Sequence, residues 1–201
     1  MPGVQFCNSF NDRAVLVLRI ANRKPGTEQG GIIIVVRAEQ IADRDKVHRI
    51  NELAFGQPDE ANLVDALRSK ASPFISLVAV VDDQIAGHIF FSPVTIESED
   101  GVFVAIGLAP MAVLPEYQNQ GIGSQLVREG LKECLRIGHD IVVVLGHPEF
   151  YPRFGFAPAS LKGLRSEYDV RDEVFMVTEL REGALRGRRG LVKYHPQFAN
   201  V

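Results

Sequence analysis

The stretch "SLVAVVDDQIAGHIFFSPVTI", Ser76 to Ile96, holds two strand-length apolar runs separated only by Asp82 and Asp83. A two-residue connection leaves room for a hairpin and for no crossover, so these two strands pair antiparallel, although the turn pair lacks the usual glycine. A hairpin in the middle of the chain excludes a purely parallel sheet.

Strand and helix patterns alternate around it. "IIIVVRA" (Ile32 to Ala38) is an apolar, β-branched run of strand length. From Asp43 to Lys70 apolar residues recur at helical spacing, first Val47, Ile50, Leu53 and Ala54, then Leu63, Val64 and Leu67, with "FGQPDE" as the break. This spacing predicts two amphipathic helices. "GVFVAIGLAPMAVLP" (Gly101 to Pro115) is a long strand that contains Pro110. Proline donates no ladder hydrogen bond, so the strand must be at an edge, bulged or locally unpaired there. A helix opening at Gly121 or Ile122 puts Ile122, Leu126, Val127, Leu131, Cys134, Leu135 and Ile137 on one apolar face, with Gly138 as its stop. "DIVVVLGH" reads as a strand buried on both faces, and "VFMVTEL" and "GLVKYH" supply the last strands. The expected fold is α/β (α+β), a mixed sheet flanked by helices. With 201 residues one core is the default, so residues 1–31, ending in the turn-rich "NRKPGTEQGG", read as an extension and 32–201 as the domain.

A net charge of −3 gives no general attraction for nucleic acid or anionic lipid. Cys7 and Cys134 make neither a disulfide framework nor a metal spacing, and Cys134 on an apolar helix face reads as a buried thiol. The histidines His48, His88, His139 and His195 share no ligand spacing, so no metal is expected. No apolar run is long enough to span a bilayer, and Arg19 interrupts "AVLVLRIA" with no cleavage signal after it, so the expected location is the cytoplasm. "LRGRRG" (Leu185 to Gly190) is a basic cluster that reads most simply as a solvated turn.

Chemistry concentrates in "LPEYQNQGIGSQLVREGL", Leu114 to Leu131. A strand, a turn with Gly121 and Gly123, and then a helix present unpaired N–H groups and a helix dipole to one spot, which suits an anion. The same two glycines also close an ordinary tight turn. No lysine follows the second glycine as in a nucleoside-triphosphate loop, and Leu126 stands where a dinucleotide fingerprint has its third glycine.

"QNQGIG" (Gln118 to Gly123), the preceding "LAPMAVLPEY" and the later "YPRFGF" (Tyr151 to Phe156) resemble, together, the motifs of the GNAT superfamily of acyl-coenzyme-A-dependent N-acyltransferases. The run "GHPEFYPRFGF", followed by "ELREGAL", is similar to the bacterial acetyltransferase branch labelled YhbS-like. The resemblance covers Ile32 to the C-terminus. It implies a mostly antiparallel sheet whose fourth and fifth strands splay apart. It implies acetyl-coenzyme A as co-substrate, with the pyrophosphate at Gln118, Asn119, Gln120, Gly121, Ile122, Gly123 and Ser124, and the pantetheine arm and acyl carbonyl along Met111, Ala112 and Val113.

By the same resemblance Tyr151 is the group that protonates the departing sulfur, against the plainer reading of a ring packed beside Phe150, Phe154 and Phe156. Many relatives carry a glutamate on the fourth strand as general base, and "VFVAIGLAPMAV" has no ionisable side chain. A water relay or a residue elsewhere must then accept the proton, or the amine arrives already neutral; Glu116, Asp59, Glu60 and His147 are the side-chain candidates, each with an ordinary structural alternative. The expected activity is acetyl transfer from acetyl-coenzyme A to a primary amine of a small molecule or peptide. Two other functions stay open: a non-catalytic acyl-coenzyme-A-binding or sensing module, and an aminoacyl-tRNA acetyltransferase, which the acidic charge disfavours. No membrane or nucleic-acid partner is expected, and homodimer assembly is left open.

Overall fold

A computed structural model describes residues 33–200. The extension expected at 1–31, Cys7 and Ile32 lie outside the described residues.

The hairpin forms as expected. β2 (Ile75–Val81) and β3 (Gln84–Ser98) pair antiparallel, and Asp82 and Asp83 take φ of 46° and 62°. Two successive left-handed residues give the turn the twist that neighbouring strands need, and aspartate tolerates that region better than most side chains. β1 (Ile34–Ala38) lies antiparallel on the outer side of β2. β4 (Gly101–Val113) returns along nearly the whole of β3. β5 (Ile141–Leu145) joins β4 in parallel, and β8 (Phe175–Glu179) and β6 (Ala157–Pro158) extend the sheet beyond it. β3 is long enough to pair twice on one side: its first half meets β2, and Thr95–Glu97 meets β9 (Gly190–Lys193), which in turn pairs with β7 (Leu164–Ser166). The strand order β1-β2-β3-β4-β5-β8-β6 is therefore mixed and mostly antiparallel, with β4 and β5 as a parallel pair at its centre.

Helices cover both faces. α1 (Arg44–Phe55) and α2 (Asp59–Lys70) bury Val47, Ile50, Leu63, Val64 and Leu67 against Val78, Ile85, Phe90 and Ala112 of the sheet. α3 (Ile122–Arg136) buries Ile122, Leu126, Val127 and Cys134 against Ile89, Phe91, Ile106 and Leu108 on the other face. Phe90 and Phe91 point to opposite faces, as successive strand residues do. α3 approaches the sheet closely at Gly130, where a Cβ would lie 2.4 Å from the Phe91 ring. The apolar face expected for α3 holds except at Leu135, which is 37% exposed because it turns away from the line of Leu126, Gly130 and Cys134, while Ile137 in the same turn still packs on the core. Gly138, at φ 95°, follows the helix end.

Pro110 sits at a bulge. Ile89 pairs with Met111 and Phe91 with Leu108, so Phe90 alone faces Ala109 and Pro110 together. The interruption of pairing demanded by the missing donor occurs at that residue. No helix among the described residues is long and apolar enough to cross a membrane.

Candidate active site

β4 and β5 pair only over Ile106–Leu108 and Val142–Val144. Beyond Leu108, β4 runs on to Val113 while β5 ends at Leu145, and the two part. The gap opens a cleft of about 830 Å³, lined by Met111 and Val113 of β4, by Gly121 to Ser124 at the start of α3, and by His147 to Tyr151 and Arg153 beyond β5.

The register fixes which groups of β4 face it. Leu114 donates its N–H to the Ala86 carbonyl at 2.9 Å, and Val113 pairs with Gly87, Ala112 with His88 and Met111 with Ile89. Hydrogen bonding alternates along an antiparallel ladder. Ala112 therefore turns its backbone groups toward β3, and Met111 and Val113 turn theirs outward toward the cleft. The Val113 carbonyl accepts a bond from Gln118 Nε2 at 3.1 Å, as an outward-facing carbonyl can. The Ala112 side chain is buried against the α1 and α2 face. Of the three β4 residues expected at the site, Met111 and Val113 line the cleft, and Ala112 does so with neither side chain nor backbone.

The glycine turn closes one end. Asn119 and Gly121 have φ of 60° and 88°, and a Cβ on Gly121 would meet nothing within 4 Å. Gly121 caps α3 without a side-chain hydrogen bond, and the first helical N–H, that of Gln125, reaches the Gly121 carbonyl at 3.1 Å. The N–H groups of Ile122, Gly123 and Ser124 precede that bond and have no carbonyl within the helix to receive them. Gly123 sits where a Cβ would be 3.6 Å from both Met111 Cε and Phe150 Cζ, so its bareness keeps the cleft wide at its mouth. Gln118, Asn119, Ile122 and Ser124 also line the cleft. Gln120 does not: its Nε2 donates to the Glu116 carbonyl at 2.9 Å, bracing the turn from outside.

Tyr151 forms the opposite wall. It opens a short 3-10 turn, Tyr151–Phe154, and is buried between Phe150 and Phe156 at ring separations of 5.1 and 5.6 Å. Gly146, just past β5, makes room for it, since a Cβ there would stand 2.2 Å from the Tyr151 ring. Burial pushes its hydroxyl pKa up to about 12, so the phenol stays protonated near neutrality.

The other candidates for proton acceptance are scattered. Asp59 and Glu60 occupy the first turn of α2, the acidic placement that a helix dipole favours, and Glu116 is exposed at the exit of β4. None of the three lines the cleft, whereas His147 does. Tyr117, Pro148, Glu149 and Arg153 also line it and were not singled out by sequence, and Phe150, expected only as a packing neighbour of Tyr151, lines it too. The run "PEFYPRF" carried a signal in its aromatic density, since rings in so short a stretch must stack on one another or on a ligand. No group of three or more histidine, cysteine or acidic side chains suited to a metal occurs among the described residues.

Residues 35–159 match the family model described as an acetyltransferase (GNAT) domain. The chain is 38% identical over 166 residues to YhbS of Escherichia coli K12, described as an uncharacterized N-acetyltransferase, covering 82% of this chain and 98% of YhbS. YjhQ of the same organism, described likewise, is 39% identical over 136 residues, 66% of this chain and 75% of YjhQ. Among solved structures, E. coli YhbS in complex with CoA superposes with a TM-score of 0.79 at 34% identity, covering 87% of this chain and 96% of that one. A GNAT family acetyltransferase from Brucella melitensis in complex with acetyl-CoA gives 0.67 at 34% identity over 82% and 97%. With a mixed sheet parted between β4 and β5, a bare glycine turn at the head of α3 and these matches, the chain belongs to the GNAT family of acetyltransferases.

Proposed function

We propose that the protein transfers an acetyl group from acetyl-coenzyme A to a primary amine of a small molecule or peptide in the cytoplasm. The observation that carries this reading is the parted β4/β5 cleft, with backbone donors along one side, a bare glycine turn at its mouth and a buried phenol on the far wall. Relatives solved with CoA and with acetyl-CoA support it.

The free N–H groups at Ile122, Gly123 and Ser124 suit the pyrophosphate, because their dipoles converge and no side chain of Gly121 or Gly123 intervenes. Gln118 and Asn119 border the same spot, and Gln120 holds the turn that presents it. The outward N–H groups of Met111 and Val113 suit the amide-bearing arm and the acetyl carbonyl, while Ala112 keeps that edge anchored to β3. As the amine nitrogen bonds to the carbonyl carbon, charge grows on the carbonyl oxygen, and an outward β4 N–H stabilises it without reorganising. The C–S bond then breaks, the Tyr151 hydroxyl donates its proton to the sulfur, and the amine's surplus proton leaves to water or to His147. The burial that raises the phenol pKa raises that of a thiol formed beside it, which keeps the donor matched to its acceptor.

A second reading, a non-catalytic acyl-coenzyme-A-binding module, draws on β4 having no ionisable side chain from Gly101 to Val113. One experiment separates the two. Titration calorimetry with acetyl-coenzyme A, followed by thiol release over a panel of amines, should give binding and turnover, with Gly123→Glu abolishing both. Binding with no thiol released for any amine favours the module. Absence of binding in the folded protein returns the glycines to an ordinary turn.

A further inference from the structure

Arg153 is the one arginine or lysine among the residues that line the cleft, and neither the family motif nor the proposed chemistry uses it. Its guanidinium lies 4.8 Å from the centroid of the Phe150 ring, and Nη2 donates to the Glu149 carbonyl at 3.3 Å. The same aromatic pair carries a second cation: Phe150 and Phe154 are 5.3 Å apart, and Arg128, two turns into α3, lies 5.4 Å from the Phe154 ring. Among the described residues neither arginine has a carboxylate within 4.0 Å, whereas Arg136 on the same helix is paired with Glu133 at 2.6 Å. A guanidinium laid on a ring keeps its N–H edge free and pre-oriented, the arrangement that favours bidentate contact with phosphate.

Phe150 also touches the glycine turn, since its Cζ is 3.6 Å from the Cβ position of Gly123. A single phenyl ring therefore separates the proposed pyrophosphate site from the Arg153 guanidinium. The coenzyme carries its 3′-phosphate and its 5′-pyrophosphate on one ribose, which spans such a gap. Glu149 is the one carboxylate in the lining. Without Arg153 this wall would therefore repel a second phosphate.

We infer that Arg153, backed by Arg128 across the Phe150–Phe154 pair, binds the 3′-phosphate of the coenzyme and makes the cleft discriminate coenzyme A from its 3′-dephospho form. This rests on the coenzyme reading of the cleft. The test is calorimetric and needs no acceptor: coenzyme A and 3′-dephospho-coenzyme A are titrated into the wild type, Arg153→Gln, Arg128→Gln and, as a control for net charge, Arg136→Gln.

The wild type should prefer coenzyme A by about tenfold or more, the scale of a charge-assisted contact. Arg153→Gln should lose most of that preference while its affinity for the dephospho form stays unchanged. Arg128→Gln should lose a smaller part, and Arg136→Gln none. A wild type that binds both forms equally, or an Arg153→Gln protein that keeps the full preference, overturns the assignment and leaves the coenzyme reading standing. A folded wild type that binds neither form removes both.

Discussion

Tyr151 is held by its neighbours more firmly than a surface tyrosine could be: Phe150 and Phe156 bracket its ring, and Gly146 vacates the space it fills. Removing only the hydroxyl leaves that packing intact, so Tyr151→Phe should lower turnover about 10²-fold with little change in coenzyme affinity. Steady-state kinetics beside calorimetry checks this, and an unaltered rate would return Tyr151 to a packing role. A second residue responds to pH. His88 is fully buried, with Nδ1 3.1 Å from Asn51 Nδ2 and Nε2 2.9 Å from Ser76 Oγ; Ser76 in turn donates to Glu39, which pairs with Arg68 at 2.6 Å. Asn51 Nδ2 can only donate, so Nδ1 accepts and the proton resides on Nε2. Burial, helped by the charge of Arg68, lowers the His88 pKa to about 3. The unfolded chain binds a proton there below about pH 6.5 and the folded one does not, so stability should fall as pH drops from about 6.5 toward 3, by up to about 1.4 kcal/mol per unit. Asp43, whose carboxylate is held below its usual range by Arg37, adds its own loss only at the acidic end. Urea unfolding at pH 7.5, 6 and 5 should show the slope, and His88→Gln should flatten it whatever its effect on stability at pH 7.5.

Among the elements, β4 and α3 show what sequence can and cannot disclose. The β2–β3 hairpin was legible because two residues admit one connection, and the break at Pro110 because a missing donor must be accommodated. The facing of Met111, Ala112 and Val113 was not legible, since a bulge resets the alternation and its register is known only once β3 is alongside. The Asn51–His88–Ser76 chain was hidden for another reason: Ser76 and His88 are diagonal neighbours across the hairpin, but Asn51 stands 37 residues from His88 and reaches it only when α1 lies across the sheet. The motif runs marked Tyr151 and the glycine turn, but not Arg153, whose place depends on how Phe150 stacks. Gly130 was likewise silent. Helix propensity alone would favour alanine there by about 1 kcal/mol, yet the added methyl would meet Phe91 at 2.4 Å. Overpacking costs about 1–3 kcal/mol, so Gly130→Ala should be destabilising on balance, with a lower urea midpoint and an unchanged m-value.

For the molecule as a whole, the net charge of −3 sets an expectation about acceptors. A phosphate-rich acceptor such as transfer RNA would have to be held by clustered cations, and its affinity would drop by about 10³-fold or more between about 50 and 200 mM salt. Turnover with a small amine or peptide should change far less over that range, and a steep salt dependence would revive the transfer-RNA alternative. The three apolar clusters lie on both faces of one sheet, and the central parallel pair that joins its two halves is only three residues long on each strand. That short seam has a consequence of its own. Past Leu108 the outward amides of Met111 and Val113 have no strand beyond them among the described residues, so their hydrogens exchange with water while those bonded to β3 do not. Whatever lies along that edge completes the sheet as a further strand would, and slows that exchange. The fold thus registers its occupant in the backbone itself, before any bond is made or broken.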